Sequence, residues 1–218
     1  MSDELTAWIR RLFDQRVMTQ MGHAQRLEDL NLGLGWIYYG LARVARPQHV
    51  VVIGSYRGFA PLVFGRALAD NAEGGRVTFI DPSLVDDFWR DPASVQAHFA
   101  SHGLDNIDHH CLTTQQFARS AVRQEMGEIG ILLVDGYHSE EQARFDHEVF
   151  APLLGGGGYA LFHDSVRERE ATIYGADNPY RHTVLRYMDA LRRDPAWEVL
   201  TLPFGGGLCL VRSAVAVS

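Results

Sequence analysis

In this 218-residue chain several short stretches of small, polar or ionisable residues stand directly behind apolar runs. They are Gly54 to Gly58 (GSYRG), Asp81 to Ser83 (DPS), Leu112 to Gln115 (LTTQ), Asp135 to His138 (DGYH) and His163 to Ser165 (HDS). Gly54 and Gly58 would let the backbone turn tightly and bring free amides close to a ligand. By itself such a loop is equally an ordinary strand-to-helix turn. Asp81 is of a type and place to accept two hydrogen bonds from the vicinal hydroxyls of a ribose. Its competing role is a turn former beside Pro82. Thr113, Thr114 and Gln115 can reach the edge of an adenine or stay solvated. His138 is an imidazole with a reference pKa of about 6.5, suited to accept a proton near neutrality, or it caps the helix that starts near Ser139. Asp135, His163 and Asp164 together offer two carboxylates and an imidazole, a set that suits manganese, iron or zinc better than magnesium. The alternative is that the two aspartates cap helices or orient His138.

These stretches matter only if the fold brings them together. HVVVI, RVTFI, NIDHHCL, GEIGILLV and YALFH read as strands, each separated from the next by helical or loop sequence, and the alternation predicts a parallel sheet covered on both faces. In such sheets ligands bind beyond the carboxyl ends of the strands, where all five stretches fall. WEVLTLPF and GLCLVRS, separated by glycines, predict a terminal hairpin. From Glu4 to Val44 the apolar residues recur at helical spacing, so residues 1–47 are expected to form a helical cap, and residues 48–218 the ligand-binding domain. Pro92 is expected to break the segment from Ser83 to His102. The SEEQARFDHEVFAPLL segment should be a helix with Phe145, Val149 and Leu153 sharing one face, opened by a capping box of Ser139 and Gln142. Gly155 to Gly158 should end that helix, and Val166 to His182 should be a long lid-like loop carrying Tyr174, Tyr180, Arg181 and His182.

A net charge of −7 argues against a surface that neutralises a phosphate backbone, so no nucleic-acid partner is expected. The two cysteines, Cys111 and Cys209, have neither disulfide-framework nor zinc-knuckle spacing, and no apolar stretch is long enough for a membrane span. A soluble protein of the reducing cytoplasm is expected. The G-x-G-x-x-G fingerprint of dinucleotide enzymes is absent.

The runs VVIGSYRGFAPLVFGRAL, IDP and LLVDGYHSEEQARFDHEVFAPLLGGGGYALFHD resemble the class I S-adenosylmethionine-dependent methyltransferases. The similarity is to their small-molecule O-methyltransferase branch, which includes antibiotic-sugar and catechol-type enzymes. The resemblance implies a Rossmann-like, doubly wound α/β fold of five parallel strands plus a C-terminal antiparallel hairpin, with S-adenosylmethionine as cofactor. It implies that Gly54, Ser55, Tyr56 and Gly58 line the methionine portion, that Asp81 holds the ribose, and that Thr114 and Gln115 hold the adenine. Asp135 joins these cofactor-binding residues and, with His163 and Asp164, would bind a divalent metal, Mg²⁺ or Mn²⁺. His138 falls where related enzymes carry the base that deprotonates the acceptor. Ala60 replaces a serine that holds the cofactor carboxylate in some relatives, leaving Arg57 or an N-terminal residue to do so. The expected activity is therefore O-methylation of a small hydroxylated metabolite, with homo-oligomer contacts through the N-terminal helices. A non-catalytic S-adenosylmethionine-binding protein and a nucleotide-dependent oxidoreductase are the alternatives.

Overall fold

A computed structural model of the chain describes residues 2–20 and 22–214. Ser2 caps α1 (Asp3–Asp14), its side chain accepting from the Leu5 amide, and Leu5, Trp8, Ile9, Leu12 and Phe13 form the buried face of this helix. A 3₁₀ turn (Arg16–Thr19) and a loop lead to α2 (Gly35–Ala45). Then come β1 (His49–Ile53), α3 (Phe59–Asn71), β2 (Arg76–Ile80), α4 (Pro92–Ser101) and β3 (Ile107–His110). Two short helices, α5 (Thr114–Phe117) and α6 (Ala121–Gln124), precede β4 (Ile129–Val134), α7 (Glu140–Phe150) and β5 (Leu154–His163). The chain ends with a small hairpin, β6 (Arg169–Ala171) and β7 (Tyr180–His182), then α8 (Val184–Arg193), β8 (Trp197–Leu202) and β9 (Leu208–Ser213).

The main sheet has seven strands in the order β3-β2-β1-β4-β5-β9-β8. β1 to β5 run parallel, and β9 is antiparallel to both β5 and β8. Alternate strand residues feed two apolar clusters, as the two-residue period of a strand requires. Val50, Val52, Ile131, Leu133 and Leu161 face α1, α2 and α3. Val51, Ile53, Leu132, Val134 and Phe162 face α7 and α8. Trp8, Ile9 and Tyr38 from the N-terminal helices sit in the same cluster as Val50 and Leu62. The strand order reverses between β1 and β4, which opens the crevice where ligands of such sheets bind.

Several local expectations need correction. Pro92 starts α4 instead of breaking a helix: it occupies the first turn, where no backbone N–H is needed, behind the capping Asp91. Gly155 to Gly158 do not end α7. That helix stops at Phe150, and the glycines belong to β5, which has an irregular register against β4 between Ile129 and Ile131. The buried residues of α7 are Ala143, Asp146, His147 and Phe150, and Val149 and Leu153 pack half-buried against the same apolar cluster. Ser139 does cap this helix, but the Gln142 side chain turns to Asp146, so the reciprocal half of the box is replaced. Residues 166–182 are not structureless, since β6 and β7 pair within them.

Gly54 shows how tightly the crevice is built. Its φ is +72°, and a Cβ there would run into the backbone of Asp135 and Gly136. Left-handed strain of about 1–2 kcal/mol and overpacking of about 1–3 kcal/mol should together make Gly54→Ala destabilising by roughly 2–5 kcal/mol. Denaturant unfolding measures this, and an unchanged midpoint would contradict it.

Candidate active site

The crevice is a cavity of about 870 Å³ at the carboxyl ends of the parallel strands. One wall is the loop between β1 and α3. Tyr56 and Gly58 join Gly54 at positive φ, and the Trp89 indole N–H donates to the Tyr56 carbonyl at 2.7 Å. The Ser55 amide donates to Asp81 Oδ2 at 3.3 Å, and the Ser83 amide donates to Oδ1 at 2.8 Å. Those two bonds fix the Asp81 carboxylate yet leave each oxygen a lone pair, which is the requirement for holding a vicinal diol. Burial pushes the Asp81 carboxyl up, against those two amides. Ser55 Oγ accepts from the Ala60 amide at 3.1 Å. Arg57 is committed to Asp86 at 2.5 Å and lies over the Phe88 ring, so its charge is already partnered. Gly54, Ser55, Tyr56 and Asp81 line the cavity; Gly58 lies behind it, where a Cβ would meet the Trp89 ring at 2.9 Å.

The opposite wall joins the start of α5 to α7. Gln115 Nε2 donates to Gln142 Oε1 at 2.8 Å, and Gln142 Nε2 donates to Asp146 Oδ1 at 2.6 Å. Thr114 is buried beside them. Asp146 is fully buried, its Oδ2 has no partner, and burial pushes its carboxyl up to about 7. Sequence reading missed it, although a carboxylate three residues from Ala143 and four from Phe150 on one helix face was a usable signal. Because the folded state keeps this proton while the unfolded chain releases it near pH 4, the associated stability is lost as pH rises from about 4 to 7. Asp146→Asn removes that loss. The melting temperature of the variant should gain on wild type by a few degrees between pH 5 and pH 8, and parallel curves would contradict this.

At the ends of β4 and β5 lies a cluster of imidazoles and carboxylates. His163 Nδ1 is 2.7 Å from Asp135 Oδ1, and His23 Nε2 is 3.3 Å from Asp135 Oδ2. His138 Nε2 is 3.9 Å from Asp135 Oδ1 and 3.8 Å from Asp164 Oδ2, while His182 Nδ1 is 3.0 Å from that same Asp164 oxygen. Arg169 also pairs with Asp164. Asp164 is itself left-handed, with φ +53°, a conformation aspartate tolerates better than most residues. The loop after β4 is clamped from β7's end: the Thr183 amide donates to the His138 carbonyl and Thr183 Oγ accepts from the Glu140 amide, each at 2.8 Å.

Burial would raise both aspartates, but the imidazoles around them, His163 and His23 at Asp135 and His182 and His163 at Asp164, hold both carboxyls well below their usual range. Burial lowers His138 to about 4 despite the pull of Asp135 and Asp164, so its ring is unprotonated at neutral pH. Burial would lower His163 too, but Asp135 outweighs it and raises this group. Sequence reading placed Asp135, His138, His163 and Asp164 here and missed His23 and Arg169. His182, read as a lid residue, is a member of the cluster. Above it Tyr137, Tyr174 and Tyr180 stack on one another, with ring centroids 4.8 Å apart for Tyr137 and Tyr180 and 5.1 Å for Tyr174 and Tyr180, forming an aromatic rim.

Comparison with known proteins bears on this crevice. A search of curated protein sequences finds no match. Among solved structures the fold is similar to a methyltransferase from Geobacter sulfurreducens, with 20% identity, TM-score 0.61, and coverage of 98% of this chain and 90% of that one. It is similar to the O-methyltransferase TomG of Streptomyces achromogenes, in complex with S-adenosylmethionine, at 14% identity, TM-score 0.64, and coverage of 98% and 91%. It is also similar to an O-methyltransferase from Bacillus cereus in complex with S-adenosylhomocysteine, at 12% identity, TM-score 0.66, and coverage of 95% and 90%. A profile described as a methyltransferase domain matches residues 51–165, more than half of the chain and the segment that carries Gly54, Asp81, Asp135, His138 and Asp164. The chain belongs to this methyltransferase-domain family and has the class I, S-adenosylmethionine-dependent methyltransferase fold.

Proposed function

We propose that this protein is an S-adenosylmethionine-dependent O-methyltransferase acting on a hydroxyl of a small-molecule metabolite, with His138 as general base. The observation that carries the proposal is that one cavity, at the point where the strand order reverses, is lined both by a diol-accepting carboxylate, Asp81, and by an unprotonated imidazole, His138. Asp81 would hold the ribose. Thr114 and Gln115, tied to α7 through Gln142, would face the adenine. Gly54, Ser55 and Tyr56 would line the methionine portion, with Asp135 at the inner end of the site.

When bound, S-adenosylmethionine supplies an electrophilic methyl group on a sulfonium. The acceptor oxygen attacks that carbon in line, so the protein's task is alignment and removal of the hydroxyl proton. His138 would take the proton. Thr183 clamps its backbone, and the two carboxylates 3.9 and 3.8 Å from its Nε2 would stabilise the imidazolium formed on proton transfer. The Tyr137, Tyr174 and Tyr180 rim would exclude water and pack against a planar or apolar acceptor.

A divalent ion here would draw on Asp135, His163 and Asp164, although the ligand atoms that lie within 4.8 Å of one another form two sets, His23 with Asp135 and His163, and His138 with His163 and Asp164. His163 Nδ1 and Asp135 Oδ1 stand 2.7 Å apart as an ion pair, and an ion would replace the proton between them. Such an ion would act as Lewis acid on the acceptor oxygen and lower its pKa toward that of His138.

The test is incubation with methyl-deuterated S-adenosylmethionine and a panel of phenols, catechols and glycosides, followed by mass spectrometry. Labelled methyl ether formed in equal amount with S-adenosylhomocysteine is expected. Tight cofactor binding with no transfer to any acceptor would favour a non-catalytic binding protein.

A further inference from the structure

His23 belongs to no expected site, yet it lies at the centre of this one. It is fully buried in the loop between α1 and α2 and stacks on His163 with ring centroids 4.2 Å apart. We infer that His23, Asp135 and His163 form a two-histidine, one-carboxylate ligand set that selects a nitrogen-accepting divalent ion such as Zn²⁺, Fe²⁺ or Co²⁺ over Mg²⁺. The inference rests on the metal-assisted reading of the site and goes beyond it in naming the ligand from the N-terminal segment and the class of ion.

The proton inventory of the rings supports it. His163 Nε2 lies 3.3 Å from the Gly22 carbonyl, an acceptor only, so this nitrogen carries the hydrogen. Its Nδ1 faces an Asp135 oxygen 2.7 Å away, and a divalent ion would take the place of the proton shared between the two groups. His23 repeats the arrangement: its Nδ1 meets the buried Tyr38 hydroxyl at 3.1 Å, and its Nε2 faces the other Asp135 oxygen at 3.3 Å. His182 does the same toward Asp164, with Nε2 3.0 Å from the Tyr180 hydroxyl and Nδ1 3.0 Å from the carboxylate. In metal centres the outer nitrogen of each ligating imidazole is held in this way by a carbonyl, hydroxyl or carboxylate, which fixes the tautomer and aims the inner nitrogen.

Protonating both stacked rings would put two like charges in a buried site, whereas one metal ion serves both. The ligand atoms of His23, Asp135 and His163 lie within 4.8 Å of one another, close enough to converge on one ion after small rotations. A second set, His138, His163 and Asp164, meets the same limit and shares His163. Asp164 and the cavity would therefore lie on the open side of the ion, where an acceptor oxygen enters. Imidazole suits zinc, iron and cobalt, while magnesium favours oxygen ligands and retained water, so the two-nitrogen set decides the class.

The test uses the full chain freed of metal by chelation, titrated calorimetrically with Zn²⁺, Co²⁺ and Mg²⁺ in turn, with Co²⁺ binding followed also by its visible absorption. One Zn²⁺ or Co²⁺ per chain is expected, at least about 100-fold tighter than Mg²⁺, with cobalt bands of nitrogen coordination. His23→Ala should weaken Co²⁺ at least as much as the 10- to 100-fold typical of second-shell losses. Tyr38→Phe, which keeps the packing and removes only the hydroxyl, should weaken it about 10-fold. Equal affinity for Mg²⁺, or no effect of either variant, overturns the inference. So does a wild type whose His163 keeps both ring nitrogens protonated by ¹⁵N NMR at saturating Zn²⁺. S-adenosylhomocysteine binding by the same preparation is measured in parallel: if it persists while no ion binds, the ligand set is wrong and the methyltransferase reading stands.

Discussion

Replacing His138 with alanine should lower kcat by roughly 10²- to 10⁴-fold while leaving the affinity for S-adenosylhomocysteine within a few-fold of wild type. The asymmetry is the informative part. Burial keeps the ring unprotonated at neutral pH, and Asp135 and Asp164 stand 3.9 and 3.8 Å from its Nε2, placed to stabilise the charge it gains only when it takes the acceptor proton. An interaction made in the transition state and not in the ground state costs kcat and not binding. The substitution also empties space beside His182, whose ring centroid is 4.4 Å away, so the fold of the variant is to be checked by its unfolding midpoint. A variant that folds normally and keeps kcat within about threefold would remove His138 from the chemistry.

Asp81→Ala should weaken S-adenosylhomocysteine binding by on the order of 100-fold. Each hydrogen bond to a charged group contributes about 1.5–3 kcal/mol, and the Asp81 carboxylate is held by the Ser55 and Ser83 amides with a lone pair left on each oxygen. The variant also leaves those two amides without their acceptor, so part of the loss is loop disorder. A 2′-deoxy analogue of the ligand separates the two contributions. Wild type should discriminate against it and the variant should not. Equal discrimination by both proteins would assign Asp81 a purely structural role at the turn after β2.

Most of the parallel sheet could be read from the sequence because its strands are buried on both faces and therefore appear as continuous apolar runs bounded by glycine or aspartate. That pattern also located the candidate site, since the ligand edge is built from the residues immediately after each run. The features that escaped reading depend on contacts between distant segments. His23 lies in an irregular loop whose backbone bridge between Arg26 and Asn31 has no periodic signature, and only the fold brings it 3.3 Å from Asp135. Asp146 and His147 were overlooked because polar residues within a helix are expected to face solvent, whereas here each is buried with one bond, to Gln142 and Tyr187 respectively. Gly155 to Gly158 were misplaced because glycine runs signal a helix end locally. Here the strand β5 continues through them; a Cβ on Gly158 would press on the Gly155 carbonyl and the Leu154 side chain, whereas one on Gly157 would meet open space. The β6–β7 hairpin, three residues on each side, is too short to carry an alternating pattern.

The most direct test of the proposed function is a crystal structure of the chain with S-adenosylhomocysteine. The expected result has the ribose hydroxyls within hydrogen-bond distance of the Asp81 carboxylate, the adenine beside Thr114 and Gln115, and the sulfur turned toward His138. A ligand bound elsewhere, or a crevice that stays empty at saturating ligand, would contradict it.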